Sequence, residues 1–377
     1  MKIKNFYYLL TVLLMAFGIV ACSSDDSDGE NNITNNFDRN KMLTNWADNL
    51  IIPSYQNFAS KTNSLQTANT TFVNETNLEN LTNLRAAWQD AYIAWQKVEM
   101  YDIGPARDVV LRSFVNTYPT NAENVNLIIE SQNYNLADPN LNDEQGFPAL
   151  DYLLFGIAES DTELVELYDN DANGDKYRQY LTDVVTRINS LGAQVLDDWQ
   201  NAYRDVFVQN SGSSANSSTN RMANVFMEYY EVRFRNGKIG FPAGVYSGGD
   251  PQPNRVEAFY NKELSKSLAL EALEAHKNFF NGNAFNENTS AESFANYLDF
   301  LDIIKNGDSL SSLINNQYEE SITSINALDN SFYNQINTNN NGMLEVFESL
   351  QDNVVFLKSD MFSALSIALE FDSGDGD

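Results

Sequence analysis

The sequence predicts an all-α protein made of two helical bundles in series. Apolar residues recur at spacings of three and four along most of the chain, which is the pattern of amphipathic helices. Strict alternation of apolar and polar residues over the length of a strand is hard to find. Glycine and proline cluster between the helical stretches, where they end helices and form turns. Together these observations favour packed helices over a sheet.

The N-terminus predicts a lipoprotein signal peptide over residues 1–21. Two lysines precede an apolar run from residue 6 to residue 20, which is too short for a stable transmembrane helix. The run ends in Ile-Val-Ala-Cys, which resembles the lipobox of bacterial lipoproteins. Cys22 is the only cysteine, so no internal disulfide can form, and acylation would remove a lone thiol. We therefore expect lipidation at Cys22, with a plain signal peptide as the alternative.

A polar stretch from residue 22 to residue 40 follows and is rich in aspartate, serine and asparagine. Such a composition cannot bury a core, so we expect a disordered tether there, and likewise a disordered tail over residues 371–377. Acidic residues next to an acylated cysteine also resemble the export tags of some lipoproteins. The lipid anchor is therefore expected to hold the protein to the outer membrane, on its periplasmic or cell-surface face.

The net charge of −29 limits the partners that the chain can bind. A protein this acidic repels phosphate backbones, so a nucleic-acid partner is not expected. Its negative potential would concentrate cations at the surface. Solubility of an exposed protein explains the same composition equally well.

Residues 41–209 form the predicted N-terminal bundle and residues 219–370 the C-terminal bundle, with a linker at residues 210–218. The linker contains serine, asparagine and glycine but almost no apolar residue. Helical stripes lie on both sides of it, over Leu81–Val98, Tyr177–Trp199, Met222–Val232, Lys262–Phe280, Ala291–Ile304 and Leu344–Leu369. In each half a predicted helix that carries a charged residue is followed by a segment with glycine and proline, at Gly104 and at Gly240. This parallel points to an internal duplication.

Charged residues occupy positions on these apolar stripes. Glu99 and Asp102 each follow a stripe aromatic by seven residues, and Arg233 follows Phe226 by seven. Seven residues are about two helical turns, so all three side chains are expected to face inward if the helices continue that far. An unpaired buried charge is costly, so each needs a partner. The group is either an ordinary salt bridge that links the halves or a polar site that holds a ligand or cation.

A second candidate segment runs from Gln145 to Gly156. Pro148 suits the first turn of a helix, because its missing N–H is not needed there. Asp151 then falls early in that helix, with a phenylalanine four residues before it and another four residues after it. Two interpretations stay open: an exposed acid that complements the helix dipole, or an acid that is held among apolar side chains.

Three segments together resemble the imelysin-like family of bacterial proteins. Residues 146–156 are similar to its Gly-x-His-x-x-Glu block, and residues 87–105 and 233–242 are similar to two further blocks in the same order. The resemblance covers most of residues 41–370. It implies an exported, two-part helical bundle with a site between the parts and a role in iron uptake or binding. The candidate ligand-binding residues are Glu99, Asp102, Gly146, Asp151, Arg233 and Lys238.

The family motif is degenerate in this chain. Pro148 stands where the motif has histidine, and Asp151 stands where it has glutamate. His276 is the only histidine and is expected on a helix surface, whereas a zinc peptidase of the familiar type needs a helical histidine pair. A complete metallopeptidase is therefore not expected. A bound metal would be held by oxygen atoms, with Glu99 and Asp151 as ligands, which suits iron or calcium better than zinc.

An acidic run from Asp169 to Asp175 resembles the front of an EF-hand loop. Tyr180 stands at its twelfth position, where calcium binding requires a bidentate acid. We therefore expect a turn that precedes the next helix.

Three functions are compatible with these features. The first is a non-catalytic binding protein for metal or iron acquisition, acting with a transport partner of the cell envelope. The second is an interaction scaffold whose ancestral site has decayed. The third and least expected is a peptidase of the imelysin type that uses carboxylates.

Overall fold

Helices make up nearly all the regular structure of the computed structural model, which describes residues 36–169 and 172–371. Its α-helices are α1 (Arg39–Asn45), α2 (Ile52–Asn74), α3 (Leu78–Gln96), α4 (Pro105–Asp108), α5 (Leu111–Val115), α6 (Ala122–Ser131), α7 (Gly146–Asp151), α8 (Asp161–Asp169), α9 (Gly174–Asp198), α10 (Arg204–Gln209), α11 (Ser218–Glu228), α12 (Phe241–Ala243), α13 (Ser265–Asn281), α14 (Phe294–Phe300), α15 (Leu310–Asn326), α16 (Phe332–Val354) and α17 (Phe362–Leu365). π-Helical segments, which are wider than α-helices, lie at Trp46–Ile51, Tyr152–Gly156, Trp199–Tyr203, Tyr229–Gly240 and Val355–Met361. Short 3₁₀ turns lie at Pro139–Leu141 and Pro253–Arg255, and β1 (Ile304–Lys305) pairs antiparallel with β2 (Asp308–Ser309). The predicted all-α class is confirmed.

Several sequence predictions fall outside the described residues. They are the signal peptide at residues 1–21, lipidation at Cys22, most of the tether at 22–40 and the tail after residue 371. Two residues of the acidic run, Asn170 and Asp171, also lie outside. Within the described ranges, no helix has the length and apolar character that crossing a membrane requires.

The N-terminal half is organised around α2, which packs between α3 and α9. The apolar stripe predicted on α3 is buried, including Trp88 and Trp95, and the ring of Trp95 lies 5.5 Å from Phe58 on α2. Polar contacts add to this packing, because the hydroxyl of Thr62 donates to Asn189 Oδ1 of α9 at 2.9 Å. Three long helices thus bury one continuous apolar face, as helix periodicity requires.

The C-terminal half is organised around α13, α15, α16 and the π-helical segment Tyr229–Gly240. Tyr230 lies in the core of this half, and its hydroxyl donates to the carbonyl of Leu350 on α16 at 3.1 Å. The described residues between Gln209 and Ser218 form no helix, where the linker was predicted. Division of the chain into two domains, and their internal duplication, stay predictions.

Extensive contacts join the two halves, and the described residues from Phe37 onward belong to one compact unit. Helix α13 packs on α3, and Lys97 forms a 2.8 Å ion pair with Glu271 across this contact. At the other end, Asn45 Nδ2 donates to the carbonyl of Gly282 at 3.1 Å. The junction between the halves is therefore where buried polar groups from both can meet.

The expected surface position of His276 is wrong, because its side chain is buried on α13. The ring stacks on Phe226 with centroids 3.6 Å apart. Its Nε2 donates to the carbonyl of Phe226 at 2.9 Å, because a carbonyl can only accept. In a neutral ring the other nitrogen is an acceptor, so Nδ1 accepts from the Tyr318 hydroxyl at 2.7 Å. Burial lowers the pKa of His276 to about 3, so the ring is neutral. Charged neighbours in the sequence misled the prediction, because His276 lies three residues after Leu273 and three before Phe279 on the buried stripe of α13.

Candidate functional site

A cluster of buried polar side chains joins the two halves around one lysine. This Lys238 cluster consists of Gln96, Glu99, Asn116, Tyr229, Lys238 and Glu257, all of them buried. Lys238 Nζ lies 2.6 Å from Glu257 Oε2 and 3.4 Å from Glu99 Oε2, and it donates to Gln96 Oε1 at 2.9 Å. One ammonium group is thus shared by two carboxylates and one amide.

Neutral groups satisfy the remaining carboxylate oxygens. Asn116 Nδ2 donates to Glu99 Oε1 at 2.9 Å and to Glu257 Oε1 at 2.8 Å, so it bridges the two acids. Tyr92 OH donates in turn to Asn116 Oδ1 at 2.7 Å, which fixes the orientation of the amide. Tyr229 OH donates to Glu99 Oε2 at 3.1 Å. Such completeness is what allows charges to remain buried.

The electrostatics of the cluster keep its lysine and Glu99 charged. Burial opposes ionisation of Glu99, but the charge of Lys238 and the hydrogen bond from Asn116 outweigh it and lower the pKa of Glu99. Burial likewise opposes a charged Lys238, yet the nearby carboxylates of Glu257 and Glu99 raise its pKa. The ammonium therefore acts as a fixed positive charge and not as a proton acceptor.

The π-helical segment Tyr229–Gly240 explains how Tyr229 and Lys238 reach the same carboxylate. In an ideal α-helix, nine residues correspond to a rotation of about 180°, which would place the two side chains on opposite faces. The wider i→i+5 turns change this rotation, and both side chains meet Glu99 Oε2. π-Helical turns are rare and are often found at functional sites.

The same change of period corrects the predicted orientation of Arg233. The seven-residue spacing from Phe226 assumed an unbroken α-helix, but the π-helical segment begins at Tyr229. The side chain of Arg233 is 50% exposed, and its Nε lies 2.8 Å from Glu228 Oε1. Its expected inward position on the apolar stripe is therefore wrong, although it borders the cavity described below.

A related correction applies to Asp102, because α3 ends at Gln96 and the expected helical relation of Asp102 to Trp95 is wrong. Asp102 Oδ2 lies 3.4 Å from Arg112 Nη2, at the edge of the site. Arg112 Nη1 donates to both carboxylate oxygens of Glu228, at 3.1 and 2.9 Å. Glu228 therefore holds two guanidinium groups, those of Arg112 and Arg233.

A cavity of about 250 Å³, called here the arginine cavity, opens beside the Lys238 cluster. Its wall includes Glu99 and Asn116 of the cluster together with three arginines, Arg112, Arg233 and Arg255. The N-terminal half contributes the segment from Arg112 to Pro119, and the C-terminal half contributes residues of the π-helix. The predicted candidates Glu99 and Arg233 thus line one cavity, and Lys238 pairs with Glu99 but is not part of the wall.

Asp151 lies at a separate, smaller cavity of about 110 Å³, which shares Tyr118 and Pro119 with the arginine cavity. Its side chain is buried, and its two oxygens accept from the backbone N–H groups of Tyr260 at 2.7 Å and Asn261 at 2.9 Å. Burial raises the pKa of Asp151 to about 7, although these two hydrogen bonds oppose the shift. Asp151 is thus a buried acid that anchors the C-terminal half, and the exposed alternative is excluded.

Gly146 has a steric role at the start of the helix that carries Pro148 and Asp151. Its φ angle is +81°, and an added Cβ would lie 2.3 Å from the backbone oxygen of Val115. Only glycine allows this approach at little cost. The contact places the helix against the segment that continues into Asn116 of the Lys238 cluster.

The predicted metal ligands have other partners. Glu99 is held by Lys238, Asn116 and Tyr229, and Asp151 is held by two amides at a different cavity. Among the residues that the structure describes, no three histidine, cysteine, aspartate or glutamate side chains are grouped so that they could hold a metal ion. The residues present therefore do not fit a bare ion, and metal ligation by Glu99 and Asp151 stays an untested prediction.

Sequence reasoning missed part of the site. The residues it did not select are Gln96, Arg112, Asn116, Tyr229, Glu228, Arg255 and Glu257. Gln96 could have been found, because it lies four residues after Tyr92 on the buried stripe of α3. Asn116 and Glu257 lie outside regular helices, so no periodicity marks them.

These features define a class: an all-helical protein with a charged cluster and a polar cavity between two halves. The imelysin family model matches residues 51–361, so the chain belongs to the imelysin family. Over 240 residues it is 23% identical to iron-regulated protein A of Synechococcus elongatus. That match covers 61% of each chain, which is less than two thirds of the relative's length.

Solved structures of similar proteins show the same fold. One, named an iron-regulated protein A precursor, comes from Parabacteroides distasonis and superposes with a TM-score of 0.69 at 18% identity, covering 86% of this chain and 95% of its own. An imelysin-like protein from Psychrobacter arcticum superposes with a TM-score of 0.66 at 16% identity, covering 88% and 97% of the two chains.

Proposed function

We propose that this chain is a non-catalytic binding protein of the cell envelope that serves iron acquisition. The observation that carries the proposal is the Lys238 cluster, which both halves build at the wall of the arginine cavity. A buried group of charges at a cavity between two units is a common form of ligand site. The names of the relatives, which refer to iron regulation, support the link to iron.

The chemistry of the cluster favours binding over catalysis. Lys238 is held as a cation by Glu257 and Glu99, which makes it a poor general base. The only histidine, His276, is neutral, and both of its ring nitrogens are engaged in the core. A peptidase mechanism that requires a histidine pair therefore has no residues to use.

The proposal includes export and a lipid anchor at Cys22 on the outer membrane. Its support is the apolar run followed by Ile-Val-Ala-Cys and an acidic stretch. Metabolic labelling with a radioactive fatty acid tests it: the full chain should take up label, and the Cys22→Ala variant should not. Equal labelling of the two chains would contradict the assignment.

An interaction scaffold with a decayed site is the second candidate. The observation that favours it is Pro148, which stands at the position of the motif histidine and offers no ligand atom. A scaffold would leave the cavity without a bound ligand, so the binding experiment separates the two functions.

The test of iron binding uses the purified full chain mixed with ferric citrate and passed through a desalting column. Wild type should retain iron, and Glu99→Gln should retain much less, because Glu99 at the cavity wall positions Lys238, Asn116 and Tyr229. Glu271→Gln is the matched control, since Glu271 pairs with Lys97 outside the cluster. No retained iron in wild type, or turnover of peptides by the purified chain, would contradict the proposed function.

A further inference from the structure

The charge of the arginine cavity is opposite to that of the chain. The protein has a net charge of −29, yet the wall of this cavity contains three guanidinium groups and a single carboxylate, Glu99. Asp102, Glu228 and Glu257 contribute carboxylates nearby but are not part of the wall. Over the wall of this cavity the charged side chains are therefore mainly positive, whereas the chain as a whole is negative.

Several N–H groups of these arginines donate no hydrogen bond to the residues that the structure describes. Arg255 is exposed and makes no side-chain hydrogen bond or ion pair with the residues that the structure describes. Arg233 uses only its Nε, on Glu228. Arg112 is 8% exposed, and among described residues its Nε and Nη2 have no hydrogen-bond partner, with Nη2 at 3.4 Å from Asp102. Because these two nitrogens are closed off from solvent, Arg112 contributes positive charge to the wall, whereas Arg233 and Arg255 contribute the free donors.

The structure holds two of these groups, those of Arg112 and Arg233, in place before any ligand arrives. Glu228 accepts from Arg112 with both oxygens and from Arg233 with one, so the two guanidinium groups share a fixed anchor. Preorganised donors bind an anion better, because little side-chain entropy is lost on binding. Arginine suits this role, since its planar fork matches carboxylate and phosphate oxygens.

We propose that the arginine cavity binds a small oxyanion, with carboxylate or phosphate groups, through Arg255 and Arg233. The inference rests on the proposed function, because it assigns a ligand class to the same cavity. A bare cation would meet three guanidinium groups there, whereas an anionic chelator of ferric iron would carry the ion in with its own ligands. The cavity volume of about 250 Å³ lies below the roughly 300 Å³ typical of drug-sized ligands, so the anion is small.

Calorimetric titration of the full chain with citrate and, separately, with inorganic phosphate tests the proposal. At least one anion should bind, and Arg255→Ala should weaken that binding about tenfold or more, because a charged bidentate donor is lost. Arg255→Lys should restore binding only in part, since it keeps the charge but not the fork. Arg204→Ala is the matched control: it removes the same charge from an exposed pair with Asp48 and should leave affinity within about twofold.

Preference between the two anions identifies the source of the oxyanion, and either preference supports the proposal. Absence of binding for both, or equal loss of affinity in Arg255→Ala and Arg204→Ala, would overturn it. Iron retention is a separate readout. Anion binding without iron retention would contradict the proposed function and leave the inference intact. Iron retention that does not change in Arg255 and Arg233 variants would support the proposed function and contradict the inference.

Discussion

The Lys238 cluster and the surroundings of His276 both bury ionisable groups, but they treat the charge differently. Lys238 lies between two carboxylates and stays charged. His276 lies between the Phe226 ring and the Tyr318 hydroxyl, and burial there lowers its pKa to about 3. Both side chains are almost completely excluded from solvent.

The difference follows from the neighbours that each group meets. Carboxylates offset part of the free-energy cost of desolvating an ammonium group. Aromatic rings, a hydroxyl and a carbonyl can pack against and hydrogen-bond a neutral imidazole, but they do not offset the cost of a buried charge. A protein that needs stability alone can use the neutral arrangement. The charged arrangement lies beside the cavity, where the proposed binding function would use its charges.

The largest expected effect comes from Lys238→Met, which removes the cation that Glu99 and Glu257 share. Two uncompensated buried carboxylates should reduce the free energy of unfolding by about 3–5 kcal/mol, measured by urea denaturation. Adding Glu257→Gln should recover part of this loss. Lys61→Met, at an exposed pair with Asp90, should change stability by under about 1 kcal/mol. A loss at Lys238 no larger than at Lys61 would break the comparison.

The neutral state of His276 predicts a loss of stability in acid. The unfolded chain binds a proton near pH 6.5 and the folded chain only near pH 3, so the contribution is present above pH 6.5 and is lost as the pH falls. Between about pH 6.5 and 4.5, wild type should lose about 2–3 kcal/mol more than His276→Gln. Parallel pH profiles for the two proteins would show that folding does not lower the pKa of His276.

Asp151 predicts a dependence of similar size and opposite sign. Its folded pKa of about 7 lies above the ordinary 3.8, so its contribution is present at low pH and is lost as the pH rises toward 7. From about pH 4.5 to 6.5, wild type should lose about 2–3 kcal/mol relative to Asp151→Asn. If stability changed with pH in the same way in the variant and in wild type, the hydrogen bonds from Tyr260 and Asn261 would be strong enough to cancel the effect of burial on the pKa.

Gly146→Ala tests whether the motif helix supports the cluster through backbone contact. Strain at φ +81° and the clash with the Val115 oxygen should lower the free energy of unfolding by about 1–3 kcal/mol. Gly212→Ala is a suitable control, because an added Cβ at Gly212 meets no atom within 4 Å. Equal stability of the two variants would show that the close approach at Gly146 does not support the site.

The helical fold was predictable because its signal is local. The buried stripe of α3, with Trp88 and Trp95, follows from spacings of three and four that any reader of the sequence can count. The site was predictable only in part. Glu99 and Asp151, two charges that the sequence places among apolar residues, are buried, while Arg233, which the spacing predicts to face inward, is half exposed.

By itself the sequence determined the helices, the acidic balance and the absence of a histidine pair, since each depends on residue identity and short-range spacing. The tertiary structure alone decided which charges meet. Lys238 reaches Glu99 because a π-helical segment changes the rotation between residues, and Asn116 and Glu257 arrive from non-helical segments far apart in the chain. Periodicity describes one helix at a time, whereas a buried cluster is set by how helices and loops pack against one another.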